Sequence, residues 1–415
     1  MDPTTLILVA SIVAGLLVAF SLGANDVANS MAPAVGAKAI TIWQAVLIAA
    51  VLNFIGAVFL GSNVTDTICK GIIDPEIIPS ANVLAVGMLA ALLSTAAWIL
   101  IATLTELPVS STHSIVGSLL GFGLIAGGIE VVQWGNIGGI VLSWVISPFF
   151  GGMVAFLIFV HIRRYILTKK DVLGAAIFWA PIWGSLTIAL VVLSFLYKTP
   201  SGKELGISFP LGLLLTAAIM GLTVFFYRWY IKRSLNLSMR PNRTVENIFR
   251  NLQICTACYV AISQGANDVA NAIGPVAAIY SITKGTYADS GGSVVPLWLL
   301  GMGGAGIAVG IVCLGHKVMN TVGKRITKLT NTRGFAVAFG AATTVLLASN
   351  LGMPISTTHA AVGAVVGVGV ARGFGAVDFR VLYKIVLYWV LTLPIAAITC
   401  IVIYQLLRWA VFTNI

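Results

Sequence analysis

About twelve apolar stretches, most of them near 20 residues long, dominate this chain of 415 residues. Their approximate limits are 4–31, 41–61, 82–105, 112–129, 137–161, 172–197, 207–230, 251–280, 294–315, 334–350, 354–371 and 381–408. A stretch of that length crosses the hydrocarbon core of a bilayer as one helix. A helix satisfies its own backbone N–H and C=O groups, which a bilayer demands. A β-barrel would show short alternating strands instead. Charged residues make up only 9% of the chain, against about a quarter in a soluble domain. The surface therefore faces lipid, and the expected class is an all-α polytopic membrane protein.

The net charge of +11 does not indicate nucleic acid, because no run of aromatics alternates with basic residues. The basic residues collect between the apolar segments. Arg163, Arg164, Lys169 and Lys170 follow the fifth; Arg228, Lys232, Arg233, Arg240, Arg243 and Arg250 surround the junction of the seventh and eighth. Lys317, Lys324, Arg325, Lys328 and Arg333 separate the ninth from the tenth, and Lys38 lies in the first loop. The loop with Asp66, Asp74 and Glu76 has one base, Lys70. The positive-inside rule then makes the basic loops cytoplasmic and puts both termini outside a cell membrane. Five scattered cysteines (Cys69, Cys255, Cys258, Cys313 and Cys400) form no disulfide framework. Cys255-Thr-Ala-Cys258 reads as helical spacing rather than a redox or zinc site. The stretch from Thr4 to Phe20 has no basic leader and reads as a retained helix.

The chain repeats itself. Gly23-Ala-Asn-Asp-Val-Ala-Asn29 recurs identically as Gly265-Ala-Asn-Asp-Val-Ala-Asn271, with matching from Ser21/Ser263 to Pro33/Pro275. A second pair follows in the same order: Pro108-Val-Ser-Ser-Thr-His113 and Pro354-Ile-Ser-Thr-Thr-His359. Gly117 and Gly121 match Gly363 and Gly367 at the same offset. A duplicated unit explains this. The chain makes an odd number of crossings between the two Asn-Asp helices, so the copies are expected to be inverted, with a substrate site where they meet. The short segments after each Pro-x-Ser motif favour re-entrant helical hairpins. Residues 1–165 then form the first repeat, 166–245 a linking helix pair with a basic linker, and 246–415 the second repeat.

The two motifs carry different chemistry. On a helix, Asn25, Asp26 and Asn29 fall within an arc of about 100°, with Ser21 one turn earlier. A carboxylate and two amides are expensive in hydrocarbon and must face a partner, a cavity or an ion. Their hard oxygens suit a hard cation, and Pro33 interrupts the helix and frees backbone carbonyls nearby. The alternatives are a Na+ site, a proton carrier at Asp26, or interhelical hydrogen bonding. Asn267, Asp268 and Asn271 repeat the set. Ser110, Ser111 and Thr112 follow Pro108; Ser356, Thr357 and Thr358 follow Pro354. Their hydroxyls can cap free N–H groups, and a helix start with free N–H donors binds anions without any Arg or Lys. The alternative is ordinary capping or back-bonding to the helix. Together the motifs offer oxygens for cations and donors for an oxyanion.

Flanking residues are less decisive. His113 and His359 are expected to orient the loops. Glu106 is a cation ligand or a hairpin-tip residue; its counterpart is Gly352. Gln264, opposite Leu22, is a candidate substrate contact beside the ridge. Gly301-Met-Gly303-Gly-Ala-Gly306 fits a dinucleotide-binding pattern but lies in a span with no preceding strand, so it reads as helix packing.

The four motifs resemble those of the inorganic phosphate transporter (PiT) family, over both repeats and the central pair. The resemblance implies symport of phosphate with Na+ or H+, a homodimer, and no enzymatic activity. It implies phosphate contacts at Ser110, Ser111, Thr112, Ser356, Thr357 and Thr358, aided by Asn25 and Asn267. It implies cation contacts around Asp26, Asn29, Asp268 and Asn271. The first copy reads Ser-Ser-Thr where Ser-Thr-Thr is usual, which keeps a hydroxyl at Ser111. Asn beside each Asp favours Na+ as the coupling ion, with H+ the alternative and no organic cofactor. The rival functions are a sulfate or other oxyanion permease, a passive anion channel, and a hydrolase using Ser111 and His113. Acids in the site favour phosphate, which can donate a proton that sulfate lacks.

Overall fold

The computed structural model describes residues 3–61, 71–74, 77–198, 202, 204–234, 241–285, 295–350 and 355–412. Asp66, Cys69, Lys70, Glu76, Arg240, Gly352 and Pro354 lie outside the described residues. Each expected apolar segment coincides with a helix. These are α1 (Pro3–Gly36), α2 (Ile42–Leu60), α3 (Ala81–Leu104), α4 (Ser111–Gly127), α5 (Trp134–Ile162) and α6 (Val172–Lys198). They continue with α7 (Phe209–Ser234), α8 (Pro241–Thr283), α9 (Leu297–Asn320), α10 (Asn331–Asn350), α11 (Thr357–Arg372) and α12 (Phe379–Phe412). Eight are long and apolar enough to cross a membrane, among the described residues. The helices α4 and α11 are shorter, at 17 and 16 residues.

Two local readings change. Pro33 and Pro275 do not end their helices: α1 runs on to Gly36 and α8 to Thr283. A proline removes one N–H and disturbs the turn before it, but its own carbonyl can still accept. The N–H of Ala37 donates to the Pro33 carbonyl at 3.0 Å, which resumes the ladder. The stretch 241–245, expected as the end of the linker, is the first part of α8, which is 43 residues long.

The packing has a regularity that single helices do not reveal. α1 packs on α3, α8 and α9, while α8 packs on α10, α1 and α2. α4 packs on α3 and α12, while α11 packs on α10 and α5. Exchanging the first five helices with the last five leaves this pattern unchanged. α1 and α8 sit at the centre, and the first-half helices lean on second-half ones. Close approach depends on glycine. A Cβ on Gly23 would lie 2.0 Å from the Ile307 carbonyl oxygen, and one on Gly265 2.1 Å from that of Asn53. Gly117 and Gly121 meet the backbone of α12, and Gly363 and Gly367 that of α5. Within the Gly301–Gly306 run, Gly303 faces Ile273 and Val269, Gly304 faces Ala57 and Phe54, and Gly306 faces Ala19. That run is a helix-packing surface, as small residues in membrane helices commonly are.

Candidate functional site

The site is built from two helix starts and one polar ridge. Ser110 begins α4 and Ser356 begins α11 with nearly the same backbone angles, φ −87° and ψ 117° against φ −86° and ψ 116°. Extended angles at this position direct the side chain at the first turn. The Ser110 hydroxyl accepts from the His113 N–H at 3.2 Å, and that of Ser356 from the His359 N–H at 3.3 Å. Both serines are therefore caps. The two starts meet: the Thr358 hydroxyl donates to the Val109 carbonyl, two residues before Ser111, at 3.1 Å.

The Asp26 ridge of α1 lies against this meeting point. Asn29 Nδ2 donates to the hydroxyl oxygens of Thr358 at 3.0 Å and Thr357 at 3.3 Å, and to Asp26 Oδ1 at 3.4 Å. The Thr358 hydroxyl lies 3.5 Å from Asp26 Oδ1, and Ser111, buried at the start of α4, lies beside the same carboxylate. Asp26 is fully buried, and its Oδ2 has no hydrogen-bond partner. A buried carboxylate oxygen without a donor is costly, and a cation is the natural partner for it. By the i to i−4 rule, Pro33 and Pro275 leave the carbonyls of Asn29 and Asn271 without helical donors. These are further hard oxygens at the same level.

The second copy is close by. Asp268 is buried and interacts electrostatically with Asp26. Gln264 Nε2 donates to Asp268 Oδ2 at 3.4 Å, while its Oε1 is buried and unpartnered. The structure thus brings together Asp26, Asn29, Ser111, Thr357 and Thr358, with Asp268 and Gln264 bonded to each other on α8. Asn271 is buried, and Asn267 and Thr112 are half-buried; among the described residues no hydrogen bond ties these three to the cluster. No lysine or arginine contacts either helix start, among the described residues.

Asn25 does something else. Its Nδ2 donates to the Thr103 hydroxyl at 3.0 Å and the Leu107 carbonyl at 3.1 Å; its Oδ1 accepts from the Val109 N–H at 3.2 Å. The amide holds the chain between α3 and α4 in place. That turn opens with a Schellman arrangement: Glu106 N–H bonds Thr103 and Leu107 N–H bonds Ala102. Glu106 takes the left-handed position, at φ 61°, where glycine is the usual residue. Its carboxylate pairs with Arg325 after α9, which tethers the turn.

The histidines cross-link the two halves. His113 Nδ1 donates to the Trp389 carbonyl at 3.1 Å, and His359 Nδ1 to the Trp144 carbonyl at 2.9 Å. A carbonyl only accepts, so the proton sits on Nδ1 in both rings. The His113 ring packs on Trp144 at 3.7 Å, that of His359 on Trp389 at 3.8 Å, and the two imidazoles lie 4.6 Å apart. Pro148 frees the carbonyl it borrows from Trp144, and His359 satisfies it. Trp389 Nε1 also donates to the Pro108 carbonyl at 3.2 Å. Motif reading missed both tryptophans. Their signal was present: Ile140-Val-Leu-Ser-Trp144-Val recurs as Ile385-Val-Leu-Tyr-Trp389-Val.

A family model for the phosphate transporter family matches residues 22–400 of this chain. The chain belongs to the phosphate transporter family. Relatives within that family include a chain from Pyrococcus abyssi, named as a candidate phosphate permease, 48% identical over 412 residues and covering 99% of each chain. A similarly named chain from Haemophilus influenzae is 40% identical, covering 95% of each. A solved structure named the sodium-dependent phosphate transporter is 46% identical, with a TM-score of 0.88, covering 97% of this chain and 99% of that one. Phosphate transport is the activity the family carries, and its members are transporters.

Proposed function

We propose that the chain imports inorganic phosphate across the cell membrane together with Na+, by alternating access. The observation that carries this is the convergence of two serine-capped helix starts, one from each half, on the buried Asp26 carboxylate. Phosphate sits between the starts of α4 and α11. It takes free N–H groups of the first turns and the hydroxyls of Ser111, Thr112, Thr357 and Thr358. Ser110 and Ser356 shape those turns as caps, and Asn25 fixes the first of them. Asn267 faces the phosphate from the second copy.

Phosphate needs positive charge beside it, and among the described residues no basic side chain lies at either helix start to supply it. Na+ does so, bound by the Asp26 and Asp268 carboxylates with oxygens of Asn29, Asn271 and Gln264. The unpartnered Oδ2 of Asp26 supports this. The neighbouring solved transporter is sodium-dependent by name, which favours Na+ over H+. No organic cofactor enters the scheme.

The two halves act as inverted repeats, residues 1–165 and 246–415, joined by 166–245. The unchanged packing pattern on exchange of the halves supports this. The α3–α4 and α10–α11 pairs are re-entrant hairpins, the basic loops face the cytoplasm, and both termini lie outside. The protein works as a homodimer. Uptake of labelled phosphate into liposomes under imposed Na+ or H+ gradients tests the scheme. An inward Na+ gradient should drive accumulation that excess sulfate does not suppress. Accumulation driven by H+ alone would overturn Na+ coupling. Equal uptake without any gradient would make the protein a channel.

A further inference from the structure

Away from the phosphate site, α6, α7 and α8 enclose a groove of about 460 Å³. Ile219, Leu222, Thr223, Phe226, Tyr227 and Tyr230 of α7 line one wall. These positions are three or four apart, so they share one helix face. α6 contributes Thr187 and Ile188, and α8 contributes Leu252 and Cys255. Only 11% of the most apolar window of α7 is buried, so this helix faces outward along its length. The groove runs from mid-helix to the basic end of α7. Arg228 and, in the last turn, Lys232 and Arg233 lie on that end of α7, and Arg243 lies in the first turn of α8; none pairs with a carboxylate among the described residues. Arg228 lies over the Phe178 ring with its Nε buried and unpartnered, and Arg233 lies over Trp229. Of the carboxylates nearby among the described residues, Glu246 is committed to the N–H and hydroxyl of Thr332 at 3.0 and 2.8 Å, and Asp171 Oδ1 accepts from the Gly174 N–H at 2.8 Å.

We propose that this groove binds one anionic phospholipid. An acyl chain lies along the apolar wall and the phosphate headgroup rests on Lys232, Arg233 and Arg243. The apolar length suits a hydrocarbon chain, and the uncompensated charge at one end selects a negative head at the interface. Long basic side chains reach such a head while their stems stay in the apolar layer.

The full chain, purified in a neutral detergent, is titrated with phosphatidylglycerol and separately with phosphatidylcholine of the same acyl chains. Bound lipid is counted by native mass spectrometry. Wild type should hold one phosphatidylglycerol at least tenfold more tightly than phosphatidylcholine. Thr223→Trp, which fills the groove, should lose both lipids. The combined change Lys232→Gln, Arg233→Gln and Arg243→Gln touches only the exposed end, so it should keep the fold and hold the two lipids equally. Equal retention of both lipids by wild type would overturn the proposal, as would a triple variant that keeps the preference. If Thr223→Trp instead turns a dimer into a monomer with lipid retention unchanged, the groove takes a second copy of the chain and the proposal fails.

Discussion

Asp26 is a single atom away from being an ordinary buried, hydrogen-bonded carboxylate. Asn29 and Thr358 reach Oδ1, yet Oδ2 is left without a partner. Asp26→Asn keeps the shape and removes the charge. Na+-driven phosphate uptake in liposomes should then fall at least tenfold, the consequence of losing about 1.4 kcal/mol of coupling, while the protein elutes and melts like wild type. Full Na+-dependent uptake by this variant would remove Asp26 from coupling. The histidines make a different kind of demand. His359→Leu strands the Trp144 carbonyl in the core, at a cost of about 1–3 kcal/mol. The melting temperature in detergent should drop. His359→Asn, whose amide can donate from nearly the same place as Nδ1, should recover much of the loss. Equal melting of the Leu and Asn variants would show that the ring stacking on Trp389, not the hydrogen bond, is what matters.

At the scale of helices, spacing between axes is set by glycines that sequence alone ranks equally. Gly301 and Gly310 both lie on α9. A Cβ on Gly310 would sit 1.9 Å from the Phe20 carbonyl oxygen, whereas one on Gly301 meets nothing within 4 Å. Gly310→Ala must push α1 and α9 apart, and overpacking of this kind costs about 1–3 kcal/mol or more. Gly301→Ala gains up to about 1 kcal/mol of helix propensity. Thermal melting of the two purified variants should therefore shift in opposite directions, and a shift of the same sign and size would contradict the packing. The turn between α3 and α4 shows the same dependence on neighbours. It is pinned at Leu107 and Val109 by Asn25 of α1 and at Glu106 by Arg325 after α9, two residues from distant parts of the chain.

Across the whole molecule, the halves are interleaved rather than side by side. α1 packs on α9, and α2 on α8, so neither half encloses its own central helix. A chain cut between α7 and α8 should give two fragments that survive only together. Expressed alone, residues 1–234 or 241–415 should be degraded or aggregate; co-expressed, they should co-purify and restore phosphate uptake. A first fragment that folds and stays monodisperse by itself would count against the interleaving.

Much of this was legible in the chain, for definite reasons. Length and hydropathy place helices because each span satisfies its backbone within itself, so a local rule suffices. The duplicated Asn-Asp and Ser/Thr stretches announced two copies, and Ser110 and Ser356 announced helix starts, because capping is decided within four residues. Roles that depend on the other copy were not local. Asn25 and Asn29 carry the same side chain on one ridge, yet Asn25 braces a turn while Asn29 meets Thr357 and Thr358, more than three hundred residues away. Which amide holds backbone and which reaches the site follows from what lies opposite, and only the packing of α1 against α3 and α11 decides that.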